Sequence, residues 1–278
     1  MADIVKQERR GSALILTIDR PEAGNSLSAE VSQAFLDILD TIEGDMELRA
    51  VIVTGAGDRF FCTGGDVKSY AQLTTKDELR EVMRLARTVF QRFEALHVPV
   101  IAAINGLAIG GGTEILLATD LRVMSPTAQI SMPQVRLGII TGWEGYERLV
   151  RDIGFSRAMQ VVTTGERYSA EDAYRLGIVN KISENEDVVA AAMQFVESFD
   201  KAAPLALGRA KRVIHKAASG TADEAHDLAA DTFVDLWFTE DHREAEKAFA
   251  EKRGPVFKGK SASSTQFRLS GGAKRTRN

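Results

Sequence analysis

The sequence predicts a layered α/β domain over residues 1–183, a helical region over 184–260 and a basic tail over 261–278 that is expected to be disordered. Three observations carry this. Short apolar, β-branched runs alternate with helix-period segments through the first half of the chain. Two glycine-rich turns each follow such an apolar run. From about Glu184 onward the pattern becomes nearly continuous helix. The 278 residues suffice for one large domain or two modest ones, and 44% hydrophobic with 27% charged residues is the composition of an ordinary globular protein.

In chain order, Ala13 to Ile18 and Ala50 to Val53 read as short buried strands. Between them Val31, Phe35, Ile38 and Ile42 recur at spacings of four, three and four, which makes one helical face, and Ser28 is its candidate N-cap. A second helix opens at a capping box, Thr75 with Glu78, and runs to about Leu96. It is expected to turn Leu79, Val82, Met83, Leu85, Ala86, Val89, Phe90 and Phe93 inward. Pro99 to Ile104, Leu121 to Met124 and Gln129 to Ser131 read as further strands. Helices are expected at Val188 to Phe199, Ala203 to Ala218, Ala222 to Phe238 and Asp241 to Lys252. No solenoid-length repeat stands out.

The glycine turns are Phe61-Cys62-Thr63-Gly64-Gly65-Asp66 and Asn105-Gly106-Leu107-Ala108-Ile109-Gly110-Gly111-Gly112-Thr113-Glu114. Two such turns can aim backbone N–H groups at one point, which would make an oxyanion hole for a carbonyl that develops negative charge. Glu114 follows within reach. At the start of an otherwise apolar helix (Ile115, Leu116, Leu117) it is expected to be buried, and burial raises a carboxyl pKa into a range useful for proton transfer. The structural alternative is a buried ion pair with Arg122 or Arg136. Cys62 has no base beside it, so it reads as a packing residue rather than a nucleophile. Trp143 and Trp237 read as packing residues too. None of the four histidines makes a spaced cluster with carboxylates, so no metal is implied.

These segments together resemble the enoyl-CoA hydratase/isomerase (crotonase) superfamily. Arg20-Pro21-Glu22-Ala23-Gly24-Asn25-Ser26-Leu27 is similar to its Arg-Pro…Asn-Ala-Leu segment, and Phe61 to Lys68 and Ile104 to Asp120 to its two oxyanion segments. Ala170 to Val179 is similar to its Ala-Glu-Ala-x-x-x-Gly-Leu-Val signature, and the ordered match runs from about Leu14 to Lys260. The resemblance implies a crotonase-like (ClpP/crotonase) spiral of repeated ββα units with a C-terminal helical trimerisation region, hence a homotrimer or a hexamer made as a dimer of trimers. It implies a coenzyme A thioester as substrate, with no cofactor bound permanently. The amides of Gly65 and Gly111 would hold the thioester oxygen and Glu114 would move the proton. Gly65, Asp66, Val67, Lys68 and Gly111 would line the acyl and pantetheine end, and Arg20, Ala23, Asn25 and Leu27 the nucleotide end. Phe257 and Lys260 would complete a neighbouring subunit's site.

One departure from the family pattern matters. Where hydratases carry a second glutamate, Met132-Pro133-Gln134-Val135-Arg136 places Gln134, whose amide can position water but cannot accept its proton. The resemblance therefore leaves open an addition or elimination of water with one glutamate, with Glu144 of Thr141-Gly142-Trp143-Glu144-Gly145 as a candidate replacement. It also leaves open decarboxylation of a malonyl-type CoA thioester, or a degenerate CoA-binding paralogue.

Composition narrows the partners. A formal net charge of −4 argues against nucleic acid as the main partner, although residues 258–278 hold six basic and no acidic residues. The most apolar run, Val98 to Leu117, is interrupted by Asn105, four glycines and Glu114, so no membrane span is expected. A single cysteine and a start without an apolar leader pattern suggest the cytoplasm.

Overall fold

The structure is a computed structural model that describes residues 4–260; the expected basic tail at 261–278 lies outside the described residues. In order the elements are β1 (Val5–Arg10), β2 (Ala13–Ile18), α1 (Ala29–Thr41), β3 (Ala50–Gly55), β4 (Phe60–Cys62), α2 (Val67–Tyr70), α3 (Lys76–Ala95), β5 (Val100–Ile104), β6 (Leu107–Ile109), α4 (Gly111–Leu117), β7 (Leu121–Met124) and β8 (Gln129–Ser131). Then come α5 (Gly145–Ile153), α6 (Phe155–Thr164), β9 (Arg167–Ser169), α7 (Ala170–Leu176), β10 (Lys181–Ile182), α8 (Val188–Phe199), α9 (Pro204–Ser219), α10 (Ala222–Trp237) and α11 (Glu240–Ala250).

The strands form two sheets, ordered β1-β2-β3-β5-β7-β10 and β4-β6-β8-β9. Consecutive strands alternate between them: β3 then β4, β5 then β6, β7 then β8. Each ββ pair is followed by helix, so the chain climbs as a spiral of ββα turns. All pairs from β2 to β10 in the larger sheet are parallel, and only β1 runs antiparallel to its neighbour. Parallel strands are covered on both faces, which is why Ala13 to Ile18 and Ala50 to Gly55 read as apolar runs. The two-residue period sorts their side chains. Leu14, Leu16, Val51 and Val53 face the core shared with α1 and α3, while Ala13, Ile15, Ala50 and Ile52 face Val188, Ala192 and Val196 of α8. The helical run after Glu184 thus begins with a helix seated on the sheet.

Local signals explain the helix starts. Ser28 accepts from the Val31 amide, and Thr75 with Glu78 closes a complete capping box on α3. The amino-terminal half of α3 corrects the expectation drawn from its periodicity. Ala86, Val89, Phe90 and Phe93 are buried, but Leu79 is exposed and Val82, Met83 and Leu85 are half-buried; the ring contacts of α3, Phe93 on Phe35 of α1 and Phe90 on Trp143, fall in its second half. β1 carries no apolar pattern in the sequence, because its residues after Val5 are exposed and polar, as suits a charged edge strand. β4 and β6, within the segments the sequence presents as turns, are each a strand of three residues beside glycine. Among the described residues no helix is long and apolar enough to cross a membrane.

Candidate active site

The two glycine turns meet. β4 and β6 are parallel neighbours, so the turns that follow them leave the smaller sheet side by side. Gly64 has φ +93, and a methyl group placed on it would lie 2.9 Å from the amide nitrogen of Gly111. A methyl on Gly112 would lie 1.8 Å from the Cys62 carbonyl oxygen, so only glycine lets the turns approach this closely. The first turn is fixed by Leu27, whose N–H donates to Gly64 O and whose carbonyl accepts from Asp66 N–H. That pattern leaves the Gly65 amide outside the bridge. Gly111 is the first residue of α4, where a helix has no internal partner for its N–H. Thr113 Oγ1 bonds Ala108 O and Ser131 O, which locks α4 onto β6 and β8.

Glu114 is 2% exposed and is gripped by main chain. Its Oε2 accepts from the amides of Trp143 (2.7 Å) and Gly145 (3.0 Å), and its Oε1 from the Gly142 amide (3.4 Å) and Gln134 Nε2 (3.3 Å). Burial pushes its pKa above the ordinary carboxyl value, and the four donors only partly oppose that. Neither suggested arginine reaches it as an ion-pair partner: Arg122 pairs with Asp152, and Arg136 donates to Thr164 O. Gln134 begins a short 3-10 turn and is buried; its Oε1 has no hydrogen-bond partner among the described residues. A buried acceptor left open beside a buried carboxylate is a place for a water or substrate donor.

Glu144 is placed differently from the expectation. It holds a left-handed backbone at φ 66 ahead of α5, and its carboxylate lies between Arg87 Nε (2.8 Å) and Arg148 Nη2 (3.3 Å). With both oxygens committed to guanidiniums, Glu144 is a tether for the 142–145 loop, which corrects its reading as a second acid. Cys62 is fully buried, and burial pushes its thiol up to about 12, far from a nucleophile's range.

Of the residues expected at the cofactor end, Arg20 pairs with Asp66 (2.9 Å) and bonds Ser26 O, tying the segment to the first turn. Asn25 is wholly buried at φ 53; its side chain accepts from Arg20 N and donates to Ala56 O and Phe60 O. Leu27 is buried, Ala23 half-buried, and Val67 and Lys68 are exposed beside Gly65. Phe257 and Lys260 are not brought to Gly65 and Glu114 within this chain. Phe257 lines a cavity of about 200 Å³ with Phe233 and Trp237, and the amides of Lys258 and Gly259 are fixed by Asp241. A larger cavity, about 810 Å³, opens between α3 and α9; Gly65, Gly111, Glu114 and Gln134 are not on its wall.

The part played by the 142–145 loop is not legible in the sequence. Trp143 is buried, as expected of a packing residue, edge-on to Phe90 at 5.7 Å, but its amide also holds Glu114 and its ring lies against Gly111. Trp237 is half-exposed and packs against His242 at 4.4 Å. Arg148, 3% exposed, binds both Glu94 oxygens and Trp143 O. The one signal in the sequence was the pair Gly142 and Gly145 bracketing a tryptophan.

Comparison with known proteins agrees with this geometry. The family profile described as enoyl-CoA hydratase/isomerase matches residues 8–260. A short-chain-enoyl-CoA hydratase of Clostridium acetobutylicum is 36% identical over 246 residues, covering 88% of this chain and 94% of its own. An (E)-benzylidenesuccinyl-CoA hydratase of Thauera aromatica is 34% identical over 244 residues, covering 88% and 94%. The crystal structure of an enoyl-CoA hydratase from Bacillus anthracis superposes with a TM-score of 0.88 at 32% identity, covering 92% of this chain and 99% of that one. With the profile spanning nearly the whole chain and the ββα spiral shared, the protein belongs to the enoyl-CoA hydratase/isomerase family.

Proposed function

We propose that the protein is a hydro-lyase that adds water to, or removes it from, an enoyl-CoA thioester, with Glu114 as the single proton-transferring group. The observation that carries the reading is the Glu114 carboxylate, buried, held by three loop amides, and placed beside two adjoining glycine turns and the open oxygen of Gln134. In the addition, water donates one hydrogen bond to Gln134 Oε1 and one to Glu114. Glu114 takes a proton as the water oxygen bonds to C3. The C2–C3 π pair moves into the thioester as an enolate, whose oxygen is stabilised by the amides of Gly65 and Gly111; each such donor contributes about 2.7–4 kcal/mol in comparable sites. The carboxylic acid of Glu114 then returns its proton to C2. Atoms and charge balance without a second acid, and the coenzyme A thioester is substrate rather than resident cofactor.

The names of the relatives support hydration over the alternatives. Decarboxylation of a malonyl-type thioester would seat a second carboxylate near Gln134, 3.3 Å from Glu114, where like charges oppose each other. The test is mass spectrometry of crotonyl-CoA and methylmalonyl-CoA incubated with wild type and Glu114→Gln. Water addition lost in the variant supports the reading; loss of CO₂ without hydration, or acyl-CoA binding without any turnover, overturns it.

The same proposal includes a trimer or dimer of trimers in the cytoplasm. Apolar side chains left exposed on α9 to α11 (Ile214, Phe233, Val234, Phe249) support assembly. Sedimentation equilibrium reads it directly, and a monomer would contradict it.

A further inference from the structure

We propose that the Trp143 indole is the end wall of the acyl pocket and restricts the enzyme to short acyl groups. The inference rests on the hydratase reading and names its substrate class. Three observations carry it. The Trp143 amide bonds Glu114, while its ring reaches the oxyanion turn: a methyl on Gly111 would lie 2.0 Å from Trp143 Cζ3. One residue therefore touches both groups between which the reacting carbons must sit, and its ring occupies space into which an acyl chain would extend. The ring is also packed in place. Trp143 is 3% exposed, the Phe90 ring meets it edge-on at 90°, and the Met83 methyl fills the position a side chain on Gly142 would take. Finally, the loop that carries it cannot swing freely, because Arg148 binds Trp143 O at 2.7 Å and Glu144 is tied to Arg87.

A second aromatic ring, Tyr70, covers Gly65, where a methyl would lie 2.4 Å from its Cε2. A chain longer than the indole allows must displace a buried ring together with its loop, and the loop is what holds the base. Discrimination by length follows at the same centre as the chemistry.

The test compares wild type, Trp143→Leu and Trp143→Ala on four-carbon and eight-carbon enoyl-CoA, and on butyryl-CoA and octanoyl-CoA as non-reacting inhibitors. Truncating the side chain leaves the Trp143 amide on Glu114. Each methylene newly buried is worth about fourfold, so room for two or more raises the eight-to-four carbon ratio of kcat/KM, and of inhibitor affinity, by on the order of tenfold. Wild type itself prefers the four-carbon compounds, a result read without any variant, so failure of the alanine protein to fold leaves the proposal refutable. A wild-type preference for eight carbons, or a ratio unmoved in folded variants, overturns it. If wild type turns over neither substrate yet binds butyryl-CoA more tightly and the variants reverse that order, the hydratase reading fails while the wall stands.

Discussion

Replacing Arg148 by methionine would test how Glu114, the proposed base, is held. The guanidinium is 96% buried by side chain and makes four contacts: both oxygens of Glu94 at 2.9 Å, Trp143 O at 2.7 Å and Glu144 at 3.3 Å. Methionine keeps most of the apolar stem beside Phe90 and removes every bond. Breaking a buried pair from one side costs about 3–5 kcal/mol. Glu94 keeps Arg151 at 3.4 Å and is partly open to water, so the lower end applies, roughly 3 kcal/mol. For a chain of this size that lowers the melting temperature by about 6–12 °C. The functional effect has a sign. Burial raises the Glu114 pKa and the 142–145 amides hold it down; loosening the loop weakens the amides, so the pKa rises further. As the proposed base, Glu114 must be ionised to accept a proton from water, so the acid limb of kcat/KM moves to higher pH, and turnover above that limb falls by up to about a hundredfold from misplacement. A pH–rate profile and a thermal melt read both effects. An unshifted acid limb in a destabilised variant would refute the link from Arg148 to Glu114, since a merely structural role lowers the melt alone.

Other perturbations have outcomes as definite. Glu114→Gln should lower the hydration rate by about 10²- to 10⁴-fold while butyryl-CoA still binds, as measured by steady-state kinetics and calorimetry. Gln134→Glu puts a second carboxylate 3.3 Å from the first, a repulsion of about 5 kcal/mol at an effective dielectric of 20; the pair should keep one shared proton at neutral pH and give a bell-shaped rate profile where wild type shows one acid limb. Gly112→Ala drives a methyl to 1.8 Å from Cys62 O, so the turns must separate, at a cost of about 1–3 kcal/mol or more in a denaturant titration, with hydration reduced in step. Asp120→Asn strips the counter-charge from Lys211, which is 5% exposed by side chain and lies 2.7 Å away; the loss of about 3 kcal/mol or more should appear as early detachment of α9 in hydrogen exchange.

The parts legible in the sequence were those whose cause is local. Parallel strands buried on both faces show as apolar runs at Leu14 and Val51, and capping boxes need only four residues, as at Thr75. The glycine turns could be read because close backbone approach excludes other residues. What escaped depends on contacts between distant positions. Glu144 looked like a spare acid because its partner Arg87 lies 57 residues away, and Trp143 looked like packing because its amide serves a carboxylate 29 residues earlier. Leu79 and Val82 keep the helical period without the burial, since periodicity marks a face and does not say how far the elements packed against it extend. β1 was invisible because an exposed edge strand needs no apolar alternation.

The most direct measurement is the reaction of crotonyl-CoA in isotopically labelled water, followed by mass spectrometry for wild type and Glu114→Gln at equal acyl-CoA occupancy. The account predicts one labelled oxygen at C3 and one solvent hydrogen at C2 in wild type, with both suppressed together in the variant because one carboxylate takes the proton from water and delivers it to C2. Solvent hydrogen entering C2 at an undiminished rate in Glu114→Gln, or water adding as fast as in wild type, would contradict it.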